Sequence, residues 1–253
     1  MFYRWRKPNN ILMMTDLSNA YAGEDLFILG GHPSLRDANL DQLSSPGVMT
    51  MALNNVPYVF PNPTFWLTAD KPSCYGGHFY HRADIIKFAR LDTSMELVQE
   101  TDRQLRTFPN QIFYELDAEK YDSKNFLSEG VSVAWWKSVF PIALQLAWRL
   151  GFRRVFLVGC AFWTSVKSPY AWPVKLSEAE KTTNQLVYNA DIARLTELKP
   201  HIEAMGLQIF SCTPDSRANE LFTFVPLDEA VVESVRHLPK PTQLSRIYHS
   251  SAT

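Results

Sequence analysis

A helical apolar face, a single glycine and an apolar run rich in β-formers follow one another twice in this chain, and that order restricts its fold more than any other feature. In the first copy Val139, Ile142, Ala143, Leu146, Ala147 and Leu150 recur at three- and four-residue spacing and Gly151 supplies a stop. The following Arg153-Arg154-Val155-Phe156-Leu157-Val158-Gly159-Cys160 reads as a buried parallel strand. The spacing predicts a helix over 131–150. In the second copy a helix over 189–205 stops at Gly206 and leads into Leu207-Gln208-Ile209-Phe210-Ser211-Cys212. Two such half-units predict an α/β fold, Rossmann-like, with a mostly parallel sheet and helices on both faces.

Three earlier runs fit the same sheet. Leu26-Phe27-Ile28-Leu29 ends at Gly30-Gly31, after which His32-Pro33-Ser34-Leu35 opens a helix toward Leu43. Val48-Met49-Thr50-Met51-Ala52-Leu53 ends at Asn54-Asn55, and Thr64-Phe65-Trp66-Leu67-Thr68 ends at Ala69-Asp70-Lys71-Pro72. The stretch 73–129 is irregular, with weak strands near Glu96-Leu97-Val98 and Gln111-Ile112-Phe113-Tyr114. No Gly/Ser-rich linker divides the 253 residues, so we expect one domain over 1–253, with a core at 22–233, a lid-like irregular insertion near 160–190 and flexible basic termini.

Charge and cysteine content narrow the function classes. Lys+Arg 25 against Asp+Glu 26 gives a formal net charge of -1, which excludes whole-molecule attraction to nucleic acid or anionic membrane. Cys74, Cys160 and Cys212 form no CxxC pair, so neither a disulfide scaffold nor a structural zinc site is expected. No apolar run reaches the roughly 18 residues of a membrane span, and no signal-peptide core follows the charges of Arg4, Arg6 and Lys7. The expectation is a cytoplasmic protein with no membrane partner.

In open parallel sheets ligands bind beyond the carboxyl ends of the strands, so the strand-end residues are the candidates. Gly30 and Gly31 permit close backbone approach, and Ser34 can cap a helix whose free N–H groups favour phosphate; a plain turn and cap is the alternative. Asn54 and Asn55 suit a nucleobase edge or ribose hydroxyl, or else a turn. Asp70 can accept from ribose, hold a metal or cap a turn. The aromatic residues of Cys160-Ala161-Phe162-Trp163 and Tyr170-Ala171-Trp172 cluster where a lid would close, or where a core would pack. His78 and His81, with Asp84 nearby, offer bases or two metal ligands, but no firm third ligand, so no metal site is assigned.

These residues carry a resemblance. Ile28-Leu29-Gly30-Gly31-His32-Pro33-Ser34-Leu35 resembles the glycine-x-glycine-proline-serine-leucine signature of two related groups, the Rossmann-like bacterial sialyltransferases and the archaeal 6-hydroxymethylpterin diphosphokinase-like proteins. The stretch from Ser138 to Cys160 looks like their helix, strand and following loop, and Cys212-Thr213-Pro214-Asp215-Ser216-Arg217-Ala218-Asn219 is similar to a third segment. The resemblance implies a nucleotide across the strand ends, with Gly30, Gly31 and Ser34 under phosphate and Asn54 in place of a nucleotide-contacting Asn. Asp70 stands where the first group has Asn and the second often Asp. Ser138 is near a Thr-Ser pair at the helix start, and Tyr170 near lid tyrosines.

Two departures accompany it: the sialyltransferases' catalytic His before the stretch matching Asn189-Ala190-Asp191-Ile192 is absent, and Ala161 replaces a usual acidic residue. Asp70, Tyr188, His32 or the His78/His81 pair would then serve as catalytic groups, with Arg36 or Lys71 assisting the leaving phosphate. The implied activity is glycosyl transfer from a nucleotide-activated donor to an acceptor hydroxyl. Basic residues near both chain ends, including Lys240 and Arg246, are either ordinary solvated tails or a local nucleic-acid contact that would admit DNA with a hydroxymethylated base as that acceptor. The alternatives are a Mg²⁺-dependent diphosphokinase acting on a hydroxymethyl pterin or similar alcohol, with Asp70 as metal ligand, and a non-catalytic nucleotide-binding protein.

Overall fold

The computed structural model describes residues 2–6, 9–117, 126–129, 132–165 and 167–236. Its strands in chain order are β1 (Phe2–Arg6), β2 (Ile11–Thr15), β3 (Asp25–Leu29), β4 (Met49–Leu53), β5 (Phe65–Leu67), β6 (Ile86–Arg90), β7 (Gln111–Asp117), β8 (Ser132–Ala134), β9 (Arg154–Val158), β10 (Gln208–Ser211) and β11 (Thr223–Phe224). The helices are α1 (Gly77–His81), α2 (Val139–Leu150), α3 (Glu178–Ala204) and α4 (Leu227–Arg236). All strands join one sheet in the order β11-β10-β9-β3-β4-β5-β6-β7-β1-β2, with β8 also on β7. From β11 to β7 every neighbouring pair is parallel, and the β1–β2 hairpin closes the sheet antiparallel to β7. The predicted α/β class with a mostly parallel sheet is therefore the observed one.

Alternation along the central strands divides the core. Leu26 and Ile28 of β3 point into a cluster with α2 and α3, whereas Phe27 and Leu29 point into the opposite cluster with Trp66, Phe156 and the α4 residues Ala230 and Val231. Burial on both faces explains why β3 and β9 read as unbroken apolar runs. At the far end of these two strands Arg154 makes a two-point ion pair with Asp25 (2.8 and 2.6 Å) and also binds Glu233 of α4, fastening that helix to the sheet.

Several expected boundaries moved. The helix expected from His32 toward Leu43 is two short 3-10 turns, Pro33–Arg36 and Leu40–Ser44, because only Leu35 and Leu43 of this segment are buried apolar residues and no continuous face exists. The helix expected over 131–150 starts only at Val139. Ser132–Ala134 pairs with β7 instead, and Lys137, at φ +64°, interrupts the helical path before Ser138 caps α2. Gly151 ends α2 as expected, in the left-handed region at φ +91°, where an added Cβ would lie 2.7 Å from the Asn19 backbone.

The irregular insertion extends only to Ser177, because α3 begins at Glu178. Its first turns are polar and lack an apolar period, but Ser177 and Glu180 form a reciprocal capping box. Neither weak strand nor tail was the whole story elsewhere. Gln111–Asp117 is a full strand, while the segment near Leu97 makes a single bridge to Gln104. Phe2–Arg6, expected as a flexible basic terminus, is β1, with Phe2 wholly buried. Arg236 ends α4, and Lys7, Lys240 and Arg246, also part of the basic-terminus expectation, lie outside the described residues. Among the described residues no helix is long and apolar enough to cross a membrane.

Candidate functional site

The strand order reverses direction between β3 and β9: the chain continues through β4 to β7 on one side and through β10 and β11 on the other. At such a switch point the loops leaving two adjacent strands diverge and open a crevice at their carboxyl ends. Here the loops are Gly30-Gly31 and Gly159-Cys160, packed closely enough that a Cβ on Gly30 would lie 2.6 Å from the Gly159 carbonyl. The Gly30 amide donates to the Val158 carbonyl (2.8 Å) and the His32 amide to that of Gly159 (3.0 Å). A cavity of about 370 Å³, in the size range of small-molecule sites, lies above them.

Of the residues named from sequence, Gly30, Gly31, His32, Asn54, Asp70, Ser138, Tyr170 and Tyr188 all line this cavity. Ser34 does not. The cap of the first 3-10 turn is His32, whose Nδ1 accepts from the Ser34 amide (3.2 Å) and stands 2.9 Å from the Ser34 hydroxyl. With only a four-residue 3-10 turn behind Ser34, the extended helix N-terminus expected beneath a phosphate is not formed.

Burial sets the proton state of three lining groups, His32, Tyr188 and Cys160. Because Nδ1 of His32 is occupied as an acceptor, the proton of the neutral ring sits on Nε2, a buried atom with no hydrogen-bond partner. Burial lowers the His32 pKa, opposed by Asp37 and Asp215, so the neutral ring offers a donor at Nε2 and no free base. The Tyr188 phenol is pushed up by burial and by neighbouring Tyr170, Cys160 and Asp191, and stays protonated at neutral pH. The Cys160 thiol is driven to about 12, chiefly by burial, which makes it inert.

Asn54 and Asp70 meet through a residue the sequence reading did not single out. The single proton of the buried Tyr75 hydroxyl is shared between Asn54 Oδ1 (2.9 Å) and Asp70 Oδ2 (3.2 Å). This fixes the Asn54 amide with its NH₂ left to donate, and it orients the exposed Asp70 carboxylate at the rim. Asn54 itself sits at φ +50°, a left-handed conformation that Asn tolerates, held by the Trp66 indole donating to its carbonyl (2.6 Å). Beside it Asn55 Oδ1 is buried without a partner.

The aromatic insertion forms the roof. Tyr170 and Trp172 stack with ring centroids 4.9 Å apart, and Asn184 of α3 donates to the Tyr170 hydroxyl (2.9 Å). The roof is tied to the glycine loop by the Ala171 amide donating to the Gly31 carbonyl (2.8 Å), and Arg36 donates to the Ala171 carbonyl. Arg36, expected near a phosphate, is thus occupied by the roof. Gly31 is needed for this packing: a Cβ there would lie 2.5 Å from Trp172 Cη2.

Three more lining residues went unassigned in the sequence: Lys137, Trp135 and Asp191. Lys137 is exposed and directly precedes Ser138, the cap of α2, whose hydroxyl accepts from the Phe140 amide (3.3 Å). Asp191 is 1 % exposed, and its carboxyl is raised to about 7 by burial, with Ser138 and Arg194 pulling the other way. The period of α3 would have revealed it as a carboxylate in the buried stripe with Ile192, Leu195, Leu198 and Ile202. His78 and His81 stand apart, packed on Tyr58, Phe79 and Phe108. Among the described residues no three His, Cys, Asp or Glu side chains converge as ligands to a metal would.

No family model matches the chain, and no curated protein matches it. Two solved structures are similar to it at the level of chain path. One is the sialyltransferase CST-II in complex with a trisaccharide acceptor and CMP, at 14% identity over 81% of this chain and 88% of that one, with a TM-score of 0.44. The other is the sialyltransferase CstII from Campylobacter jejuni in complex with a substrate analogue, CMP-3FNeuAc, at 13% identity over the same shares and a TM-score of 0.42.

Proposed function

We propose that this chain is a glycosyltransferase-like enzyme that binds a nucleotide-activated sugar and passes the sugar to an acceptor hydroxyl. The observation that carries the reading is the roofed cavity at the β3–β9 switch point, where two glycine loops, an amide fixed by Tyr75 and an aromatic roof converge. In this reading the Asn54 NH₂ and the Asp70 carboxylate take the nucleoside's polar edge, and Tyr170 covers it. The donor's phosphate lies between Gly30-Gly31 and the capped start of α2. Lys137, the His32 Nε2–H and the Tyr188 hydroxyl supply positive potential and hydrogen bonds as charge develops on the leaving phosphate.

The proton states above support transfer with His32 and Tyr188 as donors. Arg4 and Arg6 lie on β1, five strands from β3, or about 24 Å at the usual strand spacing, which sets them away from the cavity. We therefore favour a saccharide hydroxyl over a DNA base as acceptor.

The test is turnover of CMP-, UDP- and GDP-sugars, scored by nucleotide release with lactose or a hydroxymethylcytosine oligonucleotide as acceptor, with and without Mg²⁺. Release of nucleotide from one sugar conjugate, accelerated by an acceptor, is the expected result. Mg²⁺-dependent consumption of ATP with a hydroxymethyl pterin would establish the diphosphokinase alternative instead. Nucleotide binding without any turnover would leave a non-catalytic binding protein.

A further inference from the structure

We propose that Asp191, acting through the Ser138 hydroxyl, receives the acceptor's proton in this reaction; the inference rests on the transfer reading above. Asp191 is the only charged residue in the buried stripe of α3, and neither of its oxygens has a well-aligned hydrogen-bond partner. A buried carboxyl is costly unless paired. The other deeply buried carboxylate among the described residues, Asp25, is paired at two points with Arg154. Asp191 has no such partner: Arg194, one turn on, lies over the Trp136 ring at 5.3 Å and donates to the Trp136 carbonyl (3.4 Å). Its position therefore has no ion-pair explanation, and costs of this kind collect at functional sites.

Ser138 connects it to the cavity. A serine hydroxyl has one proton and two lone pairs, and one lone pair is already taken by the Phe140 amide. That leaves one lone pair for an incoming hydroxyl and the proton for Asp191. In the transfer step the acceptor O–H bond breaks as its oxygen bonds to the anomeric carbon. That proton goes to Ser138 Oγ while the Ser138 proton passes to the Asp191 carboxylate. The anomeric carbon–oxygen bond to phosphate breaks with its electron pair left on the phosphate. Ser138 meets the acceptor, and Asp191 is the positioning residue behind it.

The groups facing Asp191 are Ser138 at the start of α2 and, on α3 itself, Arg194 and Tyr188. Burial holds the carboxyl near the middle of the physiological range, so it exchanges its proton where the enzyme works. The remaining candidates are less suited, since the His32 Nε2 carries a proton, the Tyr188 phenol is held protonated and Asp70 is exposed at the rim.

The experiment compares wild type, Asp191→Asn, Ser138→Ala and Ser138→Thr in nucleotide release from CMP-, UDP- and GDP-sugars between pH 5 and 9. Binding of the free nucleotides to each is followed by thermal shift. The proposal predicts that Asp191→Asn keeps the nucleotide-induced shift and loses about 100-fold or more in rate. It also predicts loss of the acid limb of the pH profile near 7, with Ser138→Thr retaining more activity than Ser138→Ala. A folded Asp191→Asn with the wild-type rate and acid limb overturns the proposal while leaving the transfer reading intact. So does a rate loss that disappears below the melting range, which marks a structural role. Wild type inactive on every conjugate overturns the transfer reading and this inference together.

Discussion

At the scale of single residues, Asp191 ties stability to the site. Its carboxyl is raised to about 7, so between about pH 4 and pH 7 the folded chain holds a proton that the unfolded chain has released. Stability contributed at this position therefore falls as pH rises through that window and levels off above it. We expect Asp191→Asn to lack this slope and to exceed wild type at pH 7.5 by up to about 4 kcal/mol, measured by urea denaturation at several pH values. A variant less stable than wild type throughout would show that the carboxyl is structural. Buried Lys87, lowered to about 7 by burial, adds stability as pH rises above that point, but equally in both proteins, so it cancels in their difference. Gly31 makes a second residue-scale prediction. A valine there must displace Trp172, so Gly31→Val is expected to redshift tryptophan emission and raise protease sensitivity near 170, with the fold retained by circular dichroism. Unchanged emission would mean that the roof does not rest on this glycine.

Helix α4 is joined to the sheet by Arg154, which is buried and shared between Asp25 and Glu233. Removing one partner of a buried pair leaves the other charge uncompensated, so Asp25→Ala is predicted to lose about 3–5 kcal/mol in chemical denaturation. Glu233 is 52 % exposed, and Glu233→Gln should cost no more than about 1 kcal/mol; a larger loss than for Asp25 would reverse the assigned order.

Elements with strong periodicity were legible in the sequence. The runs that became β3, β4, β5, β9 and β10 were read with small boundary errors, because a strand buried on both faces is dominated by apolar residues. The elements missed were those whose signal is local or mixed. Strand β6 was hidden by Lys87, whose ammonium is capped by carbonyls of Arg82, Ile85 and Pro109. The start of α3 was signalled only by Ser177 and Glu180. At the site, strand-end residues such as Asn54 and Asp70 followed from topology alone. Tyr75, Lys137 and Asp191 come from connections and a helix face, so only three-dimensional packing brings them to the cavity.

For the molecule as a whole, the reversal of strand order between β3 and β9 is what creates a place to bind. The parallel strands deliver their loops to one edge, and the glycines let the two central loops approach. The insertion after β9 then folds back over them through Ala171. On the proposed function this roofed cavity holds a nucleotide. Trp135, Trp163 and Trp172 all line it, so a bound base or phosphate should perturb their emission. The most direct measurement is a fluorescence titration of wild type and Asn54→Ala with CMP, UDP, GDP and ADP. A saturable change with one nucleotide is expected for wild type, weakened about tenfold or more in Asn54→Ala by loss of a hydrogen bond worth about 1.5 kcal/mol. No saturable change with any nucleotide, or equal affinity in the variant, would contradict it.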